Sequence, residues 1–122
     1  MDKKKLKRKD SFFGLHFDFH ANEETVVGER VTPEIFERYI TEVQPDYIQV
    51  DSKGHGGWAS YPSKLGNHPK IKQDILRMYR DITAKHNVAL YVHYSGVWDM
   101  RYVKEHPQYA VVDENGNTSA NM

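Results

Sequence analysis

The first clear pattern in the chain is a strict alternation of apolar and polar residues between positions 15 and 20. The apolar residues stand at positions 15, 17 and 19, and the polar ones between them are His16, Asp18 and His20. A period of two places every second side chain on the same face of a β-strand. The pattern therefore predicts a strand with one apolar face and one face that carries two imidazoles and a carboxylate.

Two segments show the helical pattern, in which apolar residues recur at spacings of three and four. The first is predicted between Thr32, whose hydroxyl can cap a helix, and Pro45, which stops it. The second is predicted between Pro69, which fits a first helical turn, and Asn87, a C-terminal cap. A short third helix is predicted over residues 99–105, because an aspartate can cap its start and a proline follows its end.

Two more strands are predicted at residues 46–51 and 88–94, and the polar, glycine-containing segments 22–30 and 52–68 are predicted to be loops. The order strand, helix, strand, helix, strand, short helix specifies an α/β fold with a parallel sheet. A complete (β/α)8 barrel, or TIM barrel, needs about 250 residues. We therefore expect the 122 residues to form a partial barrel, about the first three of its βα units.

The composition narrows the class of protein. Lys plus Arg equals Asp plus Glu at 17 each, so no net charge favours nucleic acid or an anionic membrane, and neither is predicted as a partner. The absence of cysteine removes disulfides and thiolate chemistry. No segment reaches the roughly 18 apolar residues of a membrane span. No signal peptide is evident either, and a cytoplasmic location is predicted.

Charge is uneven only at the start of the chain. Lysines and arginines crowd residues 3–9, which predicts a basic, disordered leader over residues 1–11. A chain of 122 residues fits one domain at most. Residues 12–122 are therefore predicted to belong to a single domain, the N-terminal portion of a larger barrel.

Polar and aromatic residues follow each predicted strand, as the mouth of an α/β barrel requires. The second and third strands run into glycine-containing loops, where the backbone can approach a ligand closely. Hydroxyl-rich sugars are bound by such planar donors and acceptors beside an aromatic face. The predicted substrate-binding residues are His16, Asp18, His20, Asp51, Lys53, His55, Trp58, His93, Tyr94 and Trp98.

The residues leave other interpretations open. Two imidazoles and a carboxylate on one strand face (His16, Asp18 and His20) could hold a divalent metal in a hydrolase that acts on amides or esters. The polar residues could instead satisfy one another at the strand ends. A third alternative is a non-catalytic fragment that binds carbohydrate and exposes its sheet edges.

Three segments resemble those of the α-L-fucosidase-like glycoside hydrolases and the glycosyl hydrolase-like domains related to them. In those proteins the first strand reads Phe-Gly-Ile, the second ends in a Lys-His-His-Asp-Gly-Phe type of loop, and the third ends in Tyr-Tyr-Ser. The counterparts here are residues 13–15, 53–58 and 91–95. The similarity extends over roughly residues 13–116. It implies that residues 12–122 are the N-terminal portion of the (β/α)8 catalytic domain of a glycoside hydrolase.

The resemblance also implies roles for individual residues. His55 and Tyr94 would contact the sugar, and His16 or His20 would replace the family's first-strand histidine, because Asp18 stands at its position. The family nucleophile is an aspartate at the end of a fourth strand, which these residues do not include, so no catalytic residue is assigned.

The partners follow from the same resemblance. The implied substrate is a carbohydrate, and no cofactor or metal is implied. The remainder of the barrel, or a second copy of the chain, would complete the sheet. Most glycosidases use two carboxyl groups, and the acids at the three strand ends are Asp18, Asp51 and Asp99.

Overall fold

The computed structural model describes residues 4–119 of the 122-residue chain. It has five strands and three α-helices in these residues. In chain order they are β1 (Gly14–Phe17), β2 (Val26–Val27), α1 (Pro33–Val43), β3 (Tyr47–Lys53), β4 (Lys70–Ile71), α2 (Ile75–Lys85), β5 (Ala89–Tyr94) and α3 (Met100–Glu105).

The main sheet has three parallel strands in the order β1-β3-β5. The register places His16 beside Gln49, and Gln49 beside Tyr91. One step further along, Asp51 lies beside His93. The predicted α/β class with a parallel sheet is confirmed, and the carboxyl ends of all three strands meet at one edge.

Helices α1 and α2 pack against one face of this sheet. Ile48 and Val50 of the central strand β3 are 0% and 1% exposed, and they meet Phe36 of α1 and Tyr79 of α2 in the core. The Phe36 and Tyr79 rings lie 4.4 Å apart. The side chains that alternate with Ile48 and Val50 on β3 therefore point to the other face of the sheet.

Two helix starts agree with the sequence. Helix α1 begins at Pro33, and the hydroxyl of Thr32 accepts a hydrogen bond from the Ile35 N–H. Helix α3 begins after Asp99, whose carboxylate accepts the Tyr102 N–H at 2.8 Å. In both cases a side-chain oxygen satisfies one of the unpaired N–H groups of the first helical turn.

The predicted start of the second helix at Pro69 is wrong. Residues 70–71 form strand β4, which pairs in parallel with β2, and helix α2 begins at Ile75 after its cap, Asp74. The 22–30 loop therefore contains a strand that the sequence did not reveal. A two-residue strand is too short to show a periodicity. Its pairing also depends on a partner more than 40 residues away in the chain, which no local pattern reveals.

The first strand is also shorter than the alternation suggested, because β1 ends at Phe17. The disordered leader over residues 1–11 stays a prediction, since residues 1–3 lie outside the described residues. In the described part of this leader, Arg8–Asp10 form a short 3₁₀ helix, and the Arg8 guanidinium lies 4.8 Å from the centre of the Tyr47 ring. At the other end of the predicted catalytic portion, residues 120–122 lie outside the described residues.

A polar clamp joins the two large helices. Glu37 of α1 hydrogen-bonds Lys85 of α2 at 2.6 Å and His86, just after α2, at 2.5 Å. These two partners, Lys85 first, hold the pKa of Glu37 below its ordinary value of 4.5. Because the pKa is lower in the folded chain, the stabilisation is present above 4.5 and is lost as the pH falls through the folded value.

We therefore expect Glu37→Gln to lower the melting temperature at pH 7, and this difference to shrink as the pH falls below 4.5. Glu42→Gln is the matched control, because Glu42 pairs with Arg38 within α1 and reaches no other helix. Circular dichroism melts across this pH range measure both. A Glu37→Gln deficit that is as large at pH 3 as at pH 7 would contradict the clamp.

Candidate functional site

The polar face of the sheet opens into a cavity of about 280 Å³ at the carboxyl ends of the strands. All three strands and the loop after β3 contribute side chains to it. Its lining residues are His16, Asp18, His20, Gln49, Asp51, His55 and His93. Four imidazoles and two carboxyl groups thus share one small volume, which we call the histidine cavity.

Asp51 lies at the centre of this cavity and is 6% exposed. Its Oδ1 is 2.9 Å from His93 Nδ1 and 3.9 Å from His16 Nε2, and its Oδ2 accepts the Phe19 N–H at 3.3 Å. Asp51 thus anchors the His93 ring through Nδ1. The other ring nitrogen of His93, Nε2, is left to face the cavity.

Asp18 and His20 lie on the turn that follows β1. Asp18 hydrogen-bonds His20 Nε2 at 2.5 Å, and both side chains are more than half exposed. A hydrogen bond with Asp51, followed by the interaction with His20, holds the pKa of Asp18 below its ordinary value. Asp18 is thus the ionised acid at the rim of the histidine cavity, whereas Asp51 forms its floor.

The metal site that the sequence left open as an alternative, on His16, Asp18 and His20, has a different composition in the structure. One ligand atom each of His16, Asp18 and Asp51 lies within 4.8 Å of the others. His20 does not belong to this group, because its ring turns back to pair with Asp18. The strand ends after Phe17, so positions 18 and 20 no longer follow the alternation that would align them with His16.

A second cavity of about 440 Å³ adjoins the first and shares His55 and His93 with it. Its remaining lining includes Tyr94, Ser95 and Trp98. The Trp98 ring lies 4.7 Å from the His55 ring, and Trp98 is 46% exposed. The structure therefore brings three of the predicted aromatic and imidazole groups, His55, Tyr94 and Trp98, to the mouth of the histidine cavity.

Lys53 does not face either cavity. It is 2% exposed, its Nζ donates to Asp99 Oδ2 at 2.8 Å, and it lies 4.9 Å from the centre of the Tyr94 ring. The other oxygen of Asp99 caps α3. Lys53, the last residue of β3, thus links this strand to the start of α3. Its burial could not be predicted, because the sequence pattern placed it in the exposed loop that follows the strand.

Trp58 also lies apart from the histidine cavity. The Arg101 guanidinium covers its ring at 5.0 Å, and both residues line a separate depression with Glu23 and Glu24 of the 22–30 segment. Eight of the ten predicted substrate-binding residues line the two adjoining cavities. Lys53 and Trp58 do not.

Two glycines allow the loop after β3 to fold beneath the site. A Cβ at Gly54 would lie 2.2 Å from the Phe19 carbonyl oxygen, and one at Gly57, where φ is +85°, would lie 2.2 Å from Asp99 Oδ1. The loop of the α-L-fucosidase-like proteins carries a histidine at the position of Gly54, and a histidine side chain has no room here. His55 is the first residue of the loop that can present an imidazole.

No family model matches the chain, and no curated protein matches it. A solved structure does match, that of alpha-L-fucosidase isoenzyme 2 from Paenibacillus thiaminolyticus, with a TM-score of 0.80 and 25% sequence identity. The chain is similar to an α-L-fucosidase.

The similarity covers 88% of this chain and 16% of that fucosidase, so the chain spans about a sixth of that protein's length. The resemblance that the strand-end motifs predicted is thereby confirmed, and the share of the fucosidase that is covered fits an N-terminal fragment. Separately, none of the helices within residues 4–119 combines the length and the apolar character needed to cross a membrane.

Two residues of the site carried weak signals in the sequence. Gln49 alternates with the buried Ile48 and Val50 on β3, so it lies on the polar face of the strand and lines the histidine cavity. Ser95 is 5% exposed and bonds both His55 and Trp98. No sequence period could assign these contacts, because they depend on how the loops after β3 and β5 fold against each other.

We expect Lys53→Met to destabilise the chain by roughly 1–3 kcal/mol, because it removes a charged hydrogen bond and leaves Asp99 without its buried partner. Lys64→Met is the control, since Lys64 lies in the loop that follows β3 and is exposed. Urea denaturation measures both free energies of unfolding. Equal stability of the two variants would show that the Lys53–Asp99 pair does not hold the loop to α3.

Proposed function

We propose that the chain forms the first three βα units of a glycoside hydrolase barrel and contributes its sugar-binding residues. The observation that carries the proposal is the histidine cavity itself. Its groups converge from three parallel strands at their carboxyl ends, which is where α/β barrels place their active sites. The similarity to an α-L-fucosidase supports the same conclusion.

The chemistry of the cavity suits a polyhydroxylated ligand. His93 is held from behind by Asp51, and His55 by Ser95, so each ring keeps one nitrogen for a ligand. Gln49 adds an amide, which can both donate and accept. The partly exposed faces of Tyr94 and Trp98 border this polar group, as an aromatic surface beside a sugar ring would.

The carboxyl groups explain why hydrolysis would need more than these residues. Asp51 is buried against His93, and Asp99 is engaged by Lys53 and by the N-terminus of α3. Asp18 alone combines ionisation with exposure at the rim. Since most glycosidases use two carboxyl groups, the nucleophile in this proposal comes from a later strand of the completed barrel.

The sheet offers a place for that continuation. Strand β5 is an edge strand among the described residues, and Val92 on it is 50% exposed. Val92 and Leu90 border a depression that Tyr61 and Leu76 also line. A following strand and helix would pair with this edge and cover these apolar side chains, as the neighbouring βα unit does in a barrel. A second copy of the chain is the alternative partner.

Hydrolysis of aryl glycosides, beginning with 4-nitrophenyl α-L-fucoside, tests the proposal in the protein as its gene encodes it. We expect His93→Ala and His55→Ala each to reduce kcat/KM by roughly 10- to 100-fold, the effect of losing one or two buried hydrogen bonds to the substrate. His68→Ala is the control. It removes an imidazole that bonds the Pro69 carbonyl, outside both cavities.

Loss of activity in His93→Ala and His55→Ala with normal activity in His68→Ala would support the assignment. Full activity in both cavity variants would overturn it. Absence of hydrolysis of any glycoside by the encoded protein would remove the enzymatic proposal and leave a carbohydrate-binding chain.

A second candidate function is a metal-dependent hydrolase, which the cluster of His16, Asp18 and Asp51 favours. An imidazole and two carboxylates are ligands that Zn²⁺ and Mn²⁺ accept. Such an ion would neutralise the two acids, which now share a hydrogen bond. Bound to a water molecule, it would supply a nucleophile without a later strand.

Isothermal titration with Zn²⁺ and with Mn²⁺ separates this candidate from the first. A metal enzyme binds one ion per chain, loses it in Asp18→Asn, and keeps it in His20→Ala, because His20 lies outside the cluster. If neither ion binds the unsubstituted chain stoichiometrically, the metal candidate is excluded.

A further inference from the structure

The serine that follows β5 determines which nitrogen of His55 carries the proton. Ser95 Oγ lies 2.8 Å from the Trp98 carbonyl oxygen and 2.8 Å from His55 Nδ1. A carbonyl oxygen can only accept, and two oxygens at this distance need a hydrogen between them. The single hydroxyl hydrogen of Ser95 is therefore donated to Trp98.

The remaining contact can then have only one direction. With its hydrogen committed, Ser95 Oγ can only accept from His55, so Nδ1 carries a hydrogen. In the neutral ring, Nε2 is consequently an acceptor. No hydrogen bond to Nε2 exists within residues 4–119, and His55 lines both adjoining cavities.

We propose that Ser95 is a positioning residue that makes the neutral His55 a hydrogen-bond acceptor towards the cavity. That the donor opposite Nε2 is a sugar hydroxyl rests on the proposed function. The tautomer itself does not, because it follows from contacts within the chain.

The surroundings keep this arrangement fixed. Ser95 is 5% exposed, and its N–H donates to the Lys53 carbonyl at 3.0 Å. The His55 carbonyl accepts the Met100 N–H at 3.0 Å, so the backbone of His55 is held at the start of α3. The Trp98 ring lies against the imidazole at 4.7 Å. Ser95, Trp98 and His55 therefore orient one another.

The consequence for recognition is a fixed polarity. An acceptor at Nε2 selects a ligand group that carries a hydrogen, such as a hydroxyl or an ammonium. An ether oxygen or a carboxylate at the same place would meet a lone pair and leave Nε2 unpaired, which costs the desolvation of a polar group. Within the proposed function, the site discriminates against substrates whose hydroxyl at this point is methylated.

The test reads the tautomer directly, without any sugar. In the ¹⁵N-labelled chain at alkaline pH, where imidazoles are neutral, long-range ¹H–¹⁵N spectra show which ring nitrogen of His55 is protonated. We expect the Nδ1–H form in the unsubstituted chain. In Ser95→Ala we expect a shift towards the Nε2–H form, which an unrestrained histidine side chain prefers in water, and in Ser95→Thr the return of Nδ1–H.

Ser63→Ala is the control, because it removes another buried serine hydroxyl, one that bonds Leu65 and no histidine. It should leave His55 in the Nδ1–H form. If Ser95→Ala does not fold, the unsubstituted chain and Ser95→Thr decide the question.

An Nε2–H form of His55 in the unsubstituted chain, or an unchanged Nδ1–H form in folded Ser95→Ala, overturns the proposal. Failure of the proposed function gives a different result: the Nδ1–H form would be found while no glycoside is hydrolysed.

Discussion

The apolar side chains of the central strand β3 lie against α1 and α2, and this packing determines where the polar side chains of the same strand point. Ile48 and Val50 are 0% and 1% exposed against α1 and α2, and side chains alternate strictly along a strand. A slip of one residue would turn Asp51 into the apolar core and expose the isoleucine and the valine. Core packing therefore fixes the register that brings Asp51 beside His93.

That register explains how one carboxylate can organise several histidines. Asp51 reaches His93 on the neighbouring strand and the backbone beyond β1, and its own carbonyl accepts the Ser60 hydroxyl. The loop after β3 is held in turn by Lys53, Asp99 and the glycines beneath them. The polar site is thus built on parallel strands, with the exposed Asp18 and His20 at its rim.

The sequence predicted what depends on local periodicity and capping. The three main strands, α1 and α3 agree with it, because each has an alternation, an apolar stripe or a capping side chain of its own. It missed β2 and β4 and misplaced the start of α2, because that start depends on a pairing between distant dipeptides. It named eight residues that line the two cavities, but could not show that Lys53 is buried or that Trp58 lies under Arg101.

Sugar binding by the histidine cavity, as we propose it, would be detected by an NMR titration of the ¹⁵N-labelled chain with L-fucose. L-Fucose is the probe because the similar structure is an α-L-fucosidase. We expect the ring signals of His55 and His93 to move together with one dissociation constant, while those of His68 and His106 stay in place. Unchanged signals of His55 and His93 at saturating sugar, or equal shifts at all four histidines, would contradict it.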